Sequence, residues 1–167
     1  MSRLAAIAVV LALSAVPAAR AACPLPLAVF SEAQAEAELT FAAPDVVDAT
    51  QGRFTIRFPE NGVTFDGVIM EATEPLTRPW GIVMHKCPEG DVTGAELDAC
   101  TIWQGVIYGV DELGNVFYLP PLNEEPEAPT TLLLPDFSAS VRLSSAWGAS
   151  GLSSVPKDDF KLSGCQE

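Results

Sequence analysis

Basic residues are scarce in this chain. Lysine and arginine together number 9 against 22 acids, for a formal charge of −13, and histidine occurs once, at position 85. A field of that sign repels phosphate backbones and anionic lipid surfaces, which need Lys and Arg to neutralise them. Nucleic-acid binding is therefore excluded, whereas a basic protein partner or a divalent cation is electrostatically allowed. An acidic surface also keeps an exported protein dispersed through self-repulsion.

Other absences remove whole chemistries. With one imidazole, any Ser–His–acid arrangement must recruit His85. The short Cys-x-x-Cys spacing is missing, which argues against structural zinc modules and reactive dithiols. No glycine-rich phosphate loop or dinucleotide fingerprint occurs. Gly148-Ala149-Ser150-Gly151 falls one residue short of the Gly-x-Ser-x-Gly elbow, and no alternating α/β pattern surrounds it. Carboxylates held about 5–9.5 Å apart serve glycoside hydrolysis, but among 22 acids some pair meets that spacing by chance. The acidic stretch from Glu89 to Asp98 offers oxygen ligands for calcium without the Asp-x-Asp-x-Asp-Gly spacing of an EF-hand, and it reads as a solvated loop. No metal, cofactor or catalytic residue is predicted.

Long apolar runs are also missing after the first. Leu4 to Ala15 is uncharged and follows Arg3, and Ala19-Arg20-Ala21 places small residues where signal peptidase reads. Residues 1–21 are expected to be a secretory signal, leaving 22–167 as the mature domain. The run is too short for a span of about 20 residues, so no membrane insertion is expected after cleavage. Cys23 lies close to the cut, but Arg20 stands where lipid attachment requires an aliphatic residue. Cleavage would remove two arginines and no acid, making the exported chain still more acidic.

The mature segment keeps four cysteines, an even number that in an oxidising compartment predicts two disulfides. The expected pairs are Cys87–Cys100, closing a turn-rich loop, and Cys23–Cys165, tying the two ends of the domain together.

Period-2 alternation dominates the rest. Phe54, Ile56 and Phe58 alternate with Thr55 and Arg57; Pro59-Glu60-Asn61-Gly62 supplies a turn; Val63, Phe65, Gly67 and Ile69 return. Further strands are expected at 80–86, 101–110, 116–119, 137–144 and around Phe160 and Leu162. In 101–110 both alternating sets are largely apolar, the mark of a strand covered on both faces or lying at a corner. Ser31 to Glu38 reads equally as a short Ala/Glu-rich helix or as a loop. The predicted fold is all-β: a single antiparallel β-sandwich or small β-barrel with two disulfides and at most one short N-terminal helix.

Large amphipathic side chains remain as binding candidates, and Trp103, Ile107, Tyr108 and Trp80 form the candidate surface. Trp103 shares a face with Gly105, Ile107 and Gly109, where the glycines predict a shallow groove; ordinary core is the competing role for Trp103. The functional expectation is an exported, acidic, non-enzymatic binding or structural accessory protein, periplasmic or secreted, acting as an inhibitor or adaptor for a basic protein. The alternative is a small secreted hydrolase using His85 or a carboxylate pair.

Overall fold

A computed structural model describes residues 22–42, 50–91, 93–149 and 151–166. The expected signal segment, 1–21, lies outside the described residues, as does Ser150 of the elbow-like sequence.

The strands are β1 (Ala28–Glu32), β2 (Ala37–Ala42), β3 (Gly52–Phe58), β4 (Val63–Ala72), β5 (Arg78–Met84), β6 (Thr101–Val106), β7 (Tyr108–Val110), β8 (Val116–Tyr118), β9 (Thr131–Leu133) and β10 (Asp159–Cys165), with helices α1 (Gly94–Cys100) and α2 (Phe137–Leu143). All ten strands join one antiparallel sheet in the order β6-β5-β4-β3-β2-β1-β10-β9-β7-β8. Only Ile107 separates β6 from β7, yet β6 ends the order on one side and β7 stands next to last on the other. Two neighbouring residues reach both ends only if the sheet curls round on itself. The result is a nearly closed barrel, and 101–110 is its corner.

The interior follows from the alternation. β3 buries Phe54, Ile56 and Phe58 and turns Arg53, Thr55 and Arg57 outward; β4 buries Phe65, Gly67 and Ile69. Aromatic rings then step across the strands, with Phe30, Phe41 and Phe54 in successive edge contacts at 6.2 and 6.3 Å and Phe58 on Phe65 at 4.9 Å. Gly67 lies opposite Phe54 in register, and the Phe54 ring occupies the place a Cβ would take.

Two segments depart from the sequence reading. Ser31–Glu38 is neither helix nor plain loop: it is the β1–β2 hairpin, with a turn at residues 33–36. Ala35 and Ala37 are buried there, small enough for the barrel interior, so packing overrides their helix propensity. The turn is held by the buried Glu32 carboxylate, whose two oxygens accept from the backbone N–H groups of Gln34 and Ala35 at 2.8 and 2.9 Å. The second departure is the expected strand at 137–144, which is helix α2. Phe137 and Val141 are buried, whereas Leu143 is 88 % exposed, a spacing of four instead of two. Asp158 supplies its N-terminal cap from a distant segment, accepting from the N–H groups of Asp136 and Ser138 at 3.0 and 2.7 Å.

α2 lies against β6. The Phe137 ring meets Trp103 edge-on at 6.1 Å and Phe160 of β10 at 5.9 Å, and the Trp103 indole N–H donates to the Pro135 carbonyl at 2.8 Å. The two expected disulfides are present: Cys23–Cys165 with Cα atoms 5.8 Å apart and Cys87–Cys100 with 5.2 Å. Among the described residues, no helix is long and apolar enough to cross a membrane.

Candidate functional site

The four residues expected to form a binding surface divide between the two faces of the sheet. Trp103 and Ile107 point into the barrel, 3 % and 2 % exposed, and are core. The groove expected over the glycines is filled. A Cβ at Gly105 would lie 2.8 Å from the Trp103 ring, and one at Gly81 on the neighbouring strand 2.6 Å from Ile107. Gly109 is covered in the same way by Phe117, at 2.7 Å. Glycines here make room for large side chains to lie flat inside a tight barrel.

Trp80 and Tyr108 stay half-exposed on the outer face, and the register places them in a longer stripe. Met70 of β4 pairs with Trp80 of β5, and Trp80 pairs with Val106 of β6. Tyr108 follows Val106 on the same side of the corner strand and pairs with Tyr118 of β8, their rings 5.6 Å apart. Val110 and Val116 form the next pair. Beside this stripe, Val68 pairs with Ile82. The outer wall of β4–β8 is thus apolar through five strands, with Met70, Val116 and Tyr118 well exposed. Arg78 lies 5.5 Å over the Trp80 ring, a cation–π contact at one end. Contiguous apolar surface of this kind, rich in aromatics, marks an interaction face more often than a neutral exterior.

Arg53 and Arg78 border the β4–β5 part of this wall, whereas charge along its β6–β8 part is one-sided. From Cys87 to Val141 the chain has no Lys, Arg or His, while acids recur at Asp98, Asp111, Glu112, Glu124 and Glu125. Asp111 organises the β7–β8 turn: its carboxylate accepts from the N–H groups of Leu113 and Asn115, each at 2.8 Å, and from the Asn115 amide at 2.7 Å. The bond from Asn115 holds its carboxyl below the usual range, with the backbone donors adding to the effect.

His85 lies elsewhere, lining an open cleft of about 410 Å³ with Lys86, Pro88, Glu96, Cys100 and Ser145. Its ring packs edge-on against Phe65 at 5.2 Å, and Nδ1 is 3.1 Å from the Thr64 carbonyl. A carbonyl only accepts, so Nδ1 is the donor in this contact. The acid in this cleft is committed to another task. Glu96 closes a capping box at the start of α1, accepting from the Thr93 hydroxyl at 2.7 Å and the Thr93 N–H at 2.9 Å. Those bonds lower its carboxyl, the hydroxyl contributing most. The orienting partner of His85 is therefore a backbone carbonyl instead of a carboxylate. The stretch from Glu89 to Asp98 contains much of α1, and among the described residues no three His, Cys, Asp or Glu side chains converge as a metal site.

Comparison with protein-family models, curated proteins and solved structures found no match to this chain. The outer apolar wall was readable in principle: Val68 and Met70, then Trp80 and Ile82, then Val106 and Tyr108 form a second alternating set beside the core set.

Proposed function

We propose that this chain is an exported, acidic, non-enzymatic binding or accessory protein of the bacterial periplasm, and that it acts on a basic protein. Two disulfides are compatible with an oxidising compartment, and residues 1–21 read as the export signal. The observation that carries the reading is the apolar outer wall of β4–β8, whose β6–β8 part lies in a stretch that contains no base. Apolar area supplies affinity, and the surrounding acids select and steer a cationic partner. The test is binding of the oxidised mature protein to a cationic cell-wall hydrolase such as lysozyme over a salt series. Affinity is expected to fall steeply from low to physiological salt, because exposed charges are screened within about 8–10 Å there. Absence of binding, or binding indifferent to salt, overturns the reading.

A second reading, a small secreted hydrolase, is favoured by one observation: His85, held through Nδ1 on the Thr64 carbonyl, lines a cleft with Ser145. Turnover of an activated ester that disappears in His85→Ala would support it.

A further inference from the structure

We infer that the partner docks by strand addition at the outer edge of β8, placing an extended basic segment beside Val116–Tyr118. This rests on the basic-partner reading and specifies where and how the contact forms.

β8 is the end of the sheet order, with β7 on one side and, among the described residues, no strand on the other. The hydrogen-bond phase shows which of its backbone groups are left over. Asp111 N–H donates to the Asn115 carbonyl at 3.1 Å and Leu119 N–H to the Ile107 carbonyl at 3.2 Å. Bonded pairs alternate with non-bonded ones in an antiparallel ladder, so 115, 117 and 119 face β7. Val116 and Tyr118 then direct their N–H and C=O groups away from it, to the open edge. The other side of β7 agrees with this phase: the Val110 carbonyl accepts from Thr130 N–H at 2.9 Å, toward β9.

The opposite end of the sheet is unlike this one. β6 has α2 against it through Trp103 and Phe137, and its chain runs on into β7. β8 has no such cover, and it is apolar throughout: Val116 is 58 % exposed, and Phe117 and Tyr118 are also exposed. Its brevity and the Pro120-Pro121 that follows restrict pairing to these residues, a limit that guards against indiscriminate edge association. Added backbone bonds give register, while Tyr108, Tyr118 and Val116 offer apolar surface to alternate side chains.

Charge chooses the occupant. A second copy would bring the same base-free, acid-rich stretch against itself, at a repulsive cost. An extended segment alternating basic and apolar residues meets both the acids of the β7–β8 turn and the apolar stripe.

The probe is a synthetic peptide of about eight residues alternating lysine and valine, alongside lysozyme. Amide exchange on the mature protein is expected to slow at Val116 and Tyr118 when the peptide binds. Val116→Pro removes an outward N–H, and Tyr118→Lys adds repulsion; each is expected to weaken binding about tenfold or more. If Val116→Pro loses its fold, Tyr118→Lys and the wild-type exchange pattern decide. Peptide or lysozyme binding that leaves both amides unprotected, or that survives in folded variants, overturns strand addition and leaves the basic-partner reading standing. Lysozyme binding without peptide binding has the same meaning. Failure of both probes overturns both.

Discussion

Strands β10, β1, β2 and β3 present a different exterior from β4 through β8, although both halves enclose the same kind of core. In the first half polar residues meet in register: Ser31 with Lys161 and Glu38, Glu38 with Arg57, and Thr40 with Thr55. The Ser31 and Ser163 hydroxyls are 2.7 Å apart and those of Thr40 and Thr55 3.1 Å. In the second half the corresponding positions are mostly apolar, holding Met70, Trp80, Ile82, Val106, Tyr108 and Tyr118, with Asp66, Arg78 and Gln104 as polar exceptions. Inside, Phe54 and Ile56 serve one half and Val83 and Trp103 the other. The apolar outer set comes in addition to that core, and the binding face proposed above rests on this contrast.

Each half also has its own staple, and cutting them is the harshest way to test the division. Cys23–Cys165 closes 142 residues across β1 and β10, whereas Cys87–Cys100 closes 13 between β5 and β6. Chain-entropy reasoning gives roughly 5 kcal/mol for the first and roughly 3 for the second. Paired Cys→Ser variants compared by urea denaturation are expected to rank in that order. Trp103→Ala should destabilise by about 3–5 kcal/mol in the same assay, since it empties the space over Gly81 and Gly105 and unpairs the Pro135 carbonyl.

Milder changes sharpen the contrast. Ile82→Lys on the apolar wall should shift stability within about 0.5 kcal/mol, as surface substitutions do, while weakening capture of a cationic partner. Thr55→Lys on the polar wall should be equally mild for stability and leave that capture intact; isothermal titration with lysozyme measures both. The smallest effect is on pH. Asp111 and Glu96 both have carboxyls lowered by folding. Their contribution is complete above the unfolded carboxylate range, about 4, and is lost as pH falls through the folded values. Melting temperature should thus decline on acidification, and Asp111→Asn should reduce that slope.

The strands with one dominant apolar set were legible because period 2 is directly visible, as in Phe54, Ile56 and Phe58 against Arg53 and Arg57. The β3–β4 hairpin and both disulfides followed from local turn residues and cysteine parity. α2 was hidden: its Phe-x-Ala-x-Val-x-Leu spacing imitates a strand, and its cap comes from Asp158, far along the chain. Trp103 is open to both a surface and a core role in the sequence because 101–110 is apolar on both sides, and sequence does not say which side is inside. Register supplied that, by setting Gly81 opposite Gly105 beneath the Trp103 ring.

β10 lies between β1 and β9, so the last strand made is the one that the first must wait for. As the chain is synthesised, Ala28–Glu32 emerges early with one flank unoccupied until Asp159–Cys165 follows. Such distant pairing slows folding and prolongs the vulnerable interval. The barrel therefore completes only once residues 159–165 are available, and a chain stalled before residue 159 would present an adhesive β1 to its surroundings.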